Sequence, residues 1–587
     1  MIRYIFLTFC FYVAFLSSFA ETRSLSDARR IAASFTNSTD GFAPSAVDDF
    51  VPAIYDRQNR AKSLKSSSPG YYILNMEGGG YVIVSGDDRF RDILGYSTTG
   101  CVNIDEMPDG MQSLLSNLSS EMQSARSYYD ENGITEIERP SALFTSTHAS
   151  VAPLIKTHWG QYYPLNAQVP IEYDGVPSLY RGRATIGCVA LAMAQVMNKW
   201  KYPSAGQGGV HYNSTYDNIS VNFDEQTYDW NNLAAEYGKY ADDEGTIRNG
   251  SYTQSQADEI AKICYHSGVA VNMVWNSDGH GSSGTIEDYI PYALITYFGY
   301  NRYAKLRYRD AIGINELSTE IINDLSAGRP VIFTAESNDG GHAFVLDGYD
   351  SATDMFHVNW GWQGLDNGYY ALTALKPATE THVFHINQLA VLGVQPVEKD
   401  FGYEPSVYYK KLVPSQTSFN KGNSLMVGID TLVYSDAIFK GKIGLAIYSS
   451  DGNMLLENIS SQYKVGYIYI KESLYTPTFP KSMSAGSYTM RMVMRDEDGT
   501  VYPMHAKYGH PESWTVTVSS NAPDGTITIV ADDPVVTRVE DMYVTSPVSS
   551  DGSYREGSDT WFTVTGIPVS SPGKGIFIRG GKKYFFR

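Results

Sequence analysis

One thiol constrains this chain more than any other feature. Gly187-Cys188 opens a stretch in which Val189, Met193, Val196, Met197 and Trp200 recur at helical spacing, and the run stops before Pro203. The pattern places Cys188 at a helix N-terminus. There, unpaired backbone N–H groups and the helix dipole favour the thiolate, which is the nucleophilic form.

The other cysteines fix the context. There are four in 587 residues, Cys10, Cys101, Cys188 and Cys264, with no paired CxxC spacing. That is neither a disulfide framework nor a zinc array. Cys264 falls mid-helix and reads as core, and Cys101 belongs to an N-terminal unit. His211, His266, His280 and His357 show no metal spacing, and the acidic runs 242–244 and 496–499 read as solvated turns rather than calcium loops. No cofactor is expected. A net charge of −19 argues against a nucleic-acid binder.

Residues 1–20 have the form of a secretory signal. Arg3 forms the basic start, 4–16 is almost wholly apolar, and Ser18-Phe19-Ala20 offers small residues for cleavage after Ala20. Cys10 lacks the preceding small residues of a lipoprotein site. The apolar run is too short for a membrane span, and no later stretch is long enough. The expectation is a secreted protein with no transmembrane segment.

Four further regions follow. In 21–147, Ser24 to Asp27 resembles a capping box ahead of Ala28, Ile31, Ala32 and Phe35. Residues 71–75 and 80–85 read as a hairpin around Gly78-Gly79, and Met111, Leu114, Leu115, Leu118 and Met122 mark a second helix. The polar stretch 138–150 reads as an exposed linker. In 148–398, helices around Cys188 and 257–266 precede strands at 330–334, 343–346, 355–358 and 369–372, an α+β order. Residues 405–520 carry short strands and turns, among them 442–448, the alternating Tyr488, Met490 and Met492, and 514–518. That pattern suggests a β-sandwich of immunoglobulin type. Residues 521–587 read as a smaller strand-rich appendage for sorting or attachment.

A cysteine nucleophile needs a base. His342 is the candidate, flanked by Gly340 and Gly341, which let a substrate backbone come close. It follows Cys188 by 342 − 188 = 154 positions. The chain then turns at 350–354 and returns as His357-Val358-Asn359-Trp360, so Asn359 is a candidate partner for the imidazole and Trp360 a shield for that contact. Gln161, ahead of the nucleophile helix, is a candidate oxyanion donor beside the Cys188 N–H. Taken singly each has a bland reading: a buried small hydrophobe, a turn, a strand-end hydrogen-bonder, a core indole. Their combination in this order makes the bland readings improbable together.

These motifs resemble the streptopain family of bacterial cysteine peptidases, and within it the interpain branch. The resemblance lies in Gly187-Cys188-Val189-Ala190, Gly341-His342-Ala343-Phe344-Val345, Asn359-Trp360-Gly361-Trp362, Trp159-Gly160-Gln161 and Gly281-Ser282-Ser283-Gly284-Thr285. It covers roughly 22–398. It implies a papain-like catalytic domain over 148–398 and an inhibitory α+β propeptide over 21–147. It also implies a zymogen that hydrolyses protein or peptide substrates through Cys188 and His342, with Gln161 as oxyanion donor and Asn359 and Trp360 in the supporting segment. Ser282, Ser283 and Gly284 would line the cleft, with Gly341 beside them. Two other readings stay open at this point: amide hydrolysis or transfer on cell-wall peptides by the same dyad, and a binding protein with a decayed site.

Overall fold

The structure is a computed structural model. It describes residues 22–52, 70–131, 148–170, 181–213, 218–275, 283–302, 304–337, 340–374, 388–397 and 407–409. It also describes 411–430, 434–435, 439–459, 464–466, 473–496, 499–506, 510–533, 561–563, 568–569, 575–579 and 582–586. The signal segment with Cys10, the linker up to residue 147, His280, Gly281 and Ser282 lie outside the described residues. The chain divides into two compact units: Met1–Gly299 with Gly328–Gln388, and Tyr300–Ala327 with Leu389–Arg587.

The first unit begins with helix α1 (Leu25–Ser38). Ser24 caps it by accepting the Asp27 N–H, and Asp27 accepts the Ser24 N–H, which completes the capping box. Its buried face, Ala28, Ala32 and Ala33, packs on strands β2 (Tyr71–Met76) and β3 (Tyr81–Ser85) through Leu74, Val82 and Val84. Strand β1 (Phe50–Pro52) lies outside β2, and β4 (Ile93–Ser97) follows β3. Helix α2 (Asp109–Glu131) buries Met111, Leu114, Leu115, Leu118 and Met122, the stripe read from the sequence. Then come α3 (Cys188–Trp200), α4 (Gln254–Ala270) and α5 (Tyr289–Thr296).

Four more strands complete this unit's sheet: β5 (Val331–Ser337), β6 (Gly340–Asp350), β7 (Met355–Asn359) and β8 (Gly368–Tyr370). All pairings are antiparallel in the order β1-β2-β3-β4-β8-β7-β6-β5. The N-terminal strands therefore continue the later sheet through Tyr96 opposite Tyr369 and Gly95 opposite Tyr370. One apolar cluster spans the junction, joining Ala32 and Val84 to Met355 and Ala371.

The second unit has two parts. Lys305–Tyr308 runs antiparallel to residues 389–392, and Glu320 on the helix Ile314–Ser326 bridges Lys305 at 2.9 Å and Arg307 at 3.0 Å. From 407 on the described residues form strands and their connecting turns. A sheet led by Phe439–Ser449 and Gly486–Asp496 and a three-stranded sheet around Val427–Asp430 share one apolar core. Leu412, Val427 and Ile429 come from one side, and Ile443, Leu445, Met490, Met492 and Val516 from the other. Tyr488, Met490 and Met492 alternate inward as read. The tail adds a four-stranded sheet from Trp561–Thr563 to Lys582–Phe586. Among the described residues, no helix is long and apolar enough to cross a membrane.

Candidate active site

Gly187 sets the entry to α3. Its φ of +92° is one that side chains rarely adopt, and a Cβ there would meet Met273 Cε at 2.8 Å and Ser283 Cβ at 3.4 Å. Cys188 is the first helical residue, as its sequence context requires. Its Sγ accepts the Ala343 backbone N–H and is near the N–H groups of Val189 and Cys188 itself. These donors lower the thiol pKa, which is the effect expected at a helix N-terminus. Burial, and then the Glu287 carboxylate, outweigh them, and the thiol is pushed up. In this form the Cys188 thiol is protonated.

His342 lies on β6, opposite Ala335 of β5 and one residue before the N–H that bonds Cys188. Its ring is not hydrogen-bonded to Cys188 among the described residues. It faces Asp109, the first residue of α2. Burial lowers the His342 pKa and the Asp109 charge raises it; burial raises the Asp109 pKa and His342 lowers it. The candidate base is thus engaged by the N-terminal segment.

Asn359, 3% exposed, donates to the Thr157 carbonyl at 3.0 Å and accepts the Gly361 N–H at 3.0 Å. It stands opposite Val345, and the register shifts between Leu346 and Gly348. The displaced Asp347 is fully buried, bonding His357 Nδ1 at 2.6 Å and the Ile155 N–H at 2.9 Å. Trp360 packs on Phe344 and Tyr370 with ring centroids 4.7 and 4.9 Å away and donates to the Asp366 carbonyl at 2.8 Å. In this form neither Asn359 nor Trp360 covers a bond to His342.

Gln161 is buried, and its carbonyl accepts the Ile186 N–H at 3.2 Å, which pins it two residues ahead of Cys188. Its side-chain amide has no hydrogen bond among the described residues and is free to donate to an oxyanion. Ser283 bonds the Thr185 carbonyl at 2.8 Å, near Cys188. Gly284 and Gly341 are exposed. Cys264 is fully buried, as expected of core. Among the described residues no group of three or more His, Cys, Asp or Glu side chains is placed to hold a metal ion.

Sequence reasoning missed how α2 is held. A Cβ on Gly110 would lie 3.0 Å from Trp360 Cε3 and 3.1 Å from Phe344 Cδ1, so the backbone of α2 rests directly on these rings. Asn117 donates to the Glu336 carbonyl. Glu121, fully buried, accepts the Ala374 N–H at 2.7 Å and the Thr373 hydroxyl at 3.0 Å. A cavity of about 870 Å³ remains between the segment and the rest of the unit, lined by Cys101, Glu106, His158, Asp243, His357 and Asp366; Cys188 and His342 are not part of its wall.

Residues 159–370 match the Peptidase C10 family and residues 20–122 the Spi protease inhibitor family. Streptopain of Streptococcus pyogenes serotype M28 is 30% identical over 364 residues, covering 58% of this chain and 84% of that protein. The thiol protease/hemagglutinin PrtT of Porphyromonas gingivalis is 28% identical over 351 residues, covering 56% of this chain and 37% of that one. Among solved structures, a fragment of Prevotella intermedia prointerpain A is 29% identical, covers 55% of this chain and 95% of that one, and has a TM-score of 0.43. With an inhibitor-like segment closing on a Cys and His pair, and with most of streptopain's length matched, the chain belongs to the streptopain family of cysteine peptidases and is the zymogen of a cysteine endopeptidase.

Proposed function

We propose that Cys188 and His342 form the catalytic dyad once residues 21–147, the propeptide, have left. The observation that carries this is the bond from the Ala343 N–H to Cys188 Sγ, which holds the nucleophile one residue from the imidazole. Loss of Asp109 frees His342 to turn toward the sulfur and take its proton. The thiolate attacks the scissile carbonyl carbon, and the Cys188 N–H and Gln161 amide stabilise the oxyanion. His342 then gives its proton to the leaving amine, and a water activated by the same imidazole releases the acyl group. Asn359 and Trp360 support the strand end that carries the base. Ser283, Gly284 and Gly341 form the wall along which substrate lies.

The catalytic domain, residues 148–398, takes the papain-like fold. Residues 1–20 export the protein, and cleavage falls within 145–150, where small and polar residues predominate. Residues 405–520 form a non-catalytic sandwich of immunoglobulin type that holds the enzyme on a substrate, a cell surface or a secretion machine, and 521–587 serve sorting or attachment. Incubating the full chain, sequencing the new N-termini and assaying peptide hydrolysis tests this reading. Cys188→Ala is expected to lower hydrolysis by at least about 10³-fold while leaving the fold intact. Activity near that of the unsubstituted protein removes the assignment.

A further inference from the structure

Glu287 stands where a structural role does not explain it. It lies just ahead of α5, and its carbonyl accepts the Ile290 N–H at 2.9 Å. A Cβ built on Gly341 falls 3.4 Å from Glu287 Oε1, so the carboxylate hangs over the residue immediately before His342. Glu336, the register partner of Gly341, brings its Cγ to 3.1 Å and its Oε1 to 3.8 Å from the same point. The Glu287 charge also acts on the Cys188 sulfur.

The Glu287 side chain is half-buried; its carboxylate accepts its own backbone N–H, but no cation pairs with it among the described residues. A carboxylate removed from water without a counter-charge is costly, and Glu336 and Asp288 add repulsion. Beside a sulfur that must become a thiolate, this negative charge also opposes the chemistry. Both costs disappear when a cation enters the cleft.

We infer that Glu287 is a specificity-determining residue that receives the cationic side chain of an arginine or lysine next to the scissile bond of the substrate. The inference rests on Cys188 as nucleophile. The guanidinium pairs with the carboxylate in a partly desolvated setting, where charge-assisted hydrogen bonds are strong. It also cancels the field that resists ionisation of the thiol.

The test uses the full chain after self-processing and peptides that differ at one position, arginine against its neutral isostere citrulline, from three residues before the cleaved bond to two after it. At one position arginine is expected to exceed citrulline by about tenfold in kcat/KM, and Glu287→Gln to remove most of that ratio. A ratio near one at every position in the unsubstituted protein overturns the inference. If Glu287→Gln does not fold, salt decides. Raising sodium chloride from about 20 mM to about 500 mM must lower the ratio, because screening weakens the charge pair, and an unchanged ratio overturns the inference. Hydrolysis that survives Cys188→Ala would instead remove the underlying assignment, a result separate from the ratio.

Discussion

Glu121 accepts the backbone N–H of Ala374 at 2.7 Å across 253 residues of sequence. The carboxylate is fully buried and also accepts the Thr373 hydroxyl. Removing it leaves a buried N–H without its acceptor, at a cost of about 2 kcal/mol. Glu121→Ala should therefore loosen the propeptide and speed activation of the full chain severalfold. Melting temperature and the time course of processing are the measurements; unchanged values for both would show that Glu121 does not anchor the segment.

Gly110 offers a steric test of the same docking. It is helical, so alanine there would ordinarily stabilise α2 by up to about 1 kcal/mol. Here the added Cβ meets Trp360 at 3.0 Å and Phe344 at 3.1 Å. Gly110→Val, which adds two more carbons to that contact, should cost the docked form about 1–3 kcal/mol. The expected outcome is faster activation without loss of activity in the processed enzyme. A slower or unaltered time course would mean that the rings yield at little cost.

The pairing of Asp109 with His342 makes latency depend on pH. Docking lowers the His342 pKa below 6.5, mainly by burial. The released segment therefore leaves a histidine that binds more protons, and acid favours release from pH 6.5 downward through the lowered value. Docking raises the Asp109 pKa above 3.8, again mainly by burial, so protonation of Asp109 favours the docked form in the window just above 3.8. Activation should accelerate as pH falls through 6.5 and level off at lower pH. Asp109→Asn should remove the levelling. Slower activation of the unsubstituted protein on going just below pH 6.5 would contradict this sign.

Much of the scaffold was legible in the sequence because it follows local rules. The stripe at Met111, Leu114, Leu118 and Met122 has one period and one meaning, and Gly78-Gly79 separates two short apolar runs that pair as β2 and β3. Gly187-Cys188 was legible for the same reason. The direction of the thiol shift was not, since helix position is local whereas burial and the Glu287 charge arise from distant segments. Asn359 falls opposite Val345 through a bulge at Asp347 that no alternation pattern announces. Asp109 and Glu121, read alone, are ordinary acids on a helix; only the contact with β6 and with Thr373-Ala374 gives them a role.

His266 carries a separate acid sensitivity of the peptidase unit. It is 5% exposed on α4, with Nδ1 3.1 Å from the Tyr228 hydroxyl and its ring edge-on to Phe223 at 5.6 Å. Burial first, and then the Lys262 charge, push its pKa down from 6.5 to about 4. A lowered histidine stabilises the fold fully above pH 6.5, and the contribution is lost as pH falls toward about 4. The shift corresponds to about 3 kcal/mol. Denaturant unfolding of the full chain carrying Cys188→Ala, which removes the proposed nucleophile, should show stability dropping by that order between these limits. His266→Gln, which cannot take up a proton, should be less stable at neutral pH yet nearly flat across the same interval. A substituted protein that keeps the full acid dependence would place the titrating group elsewhere.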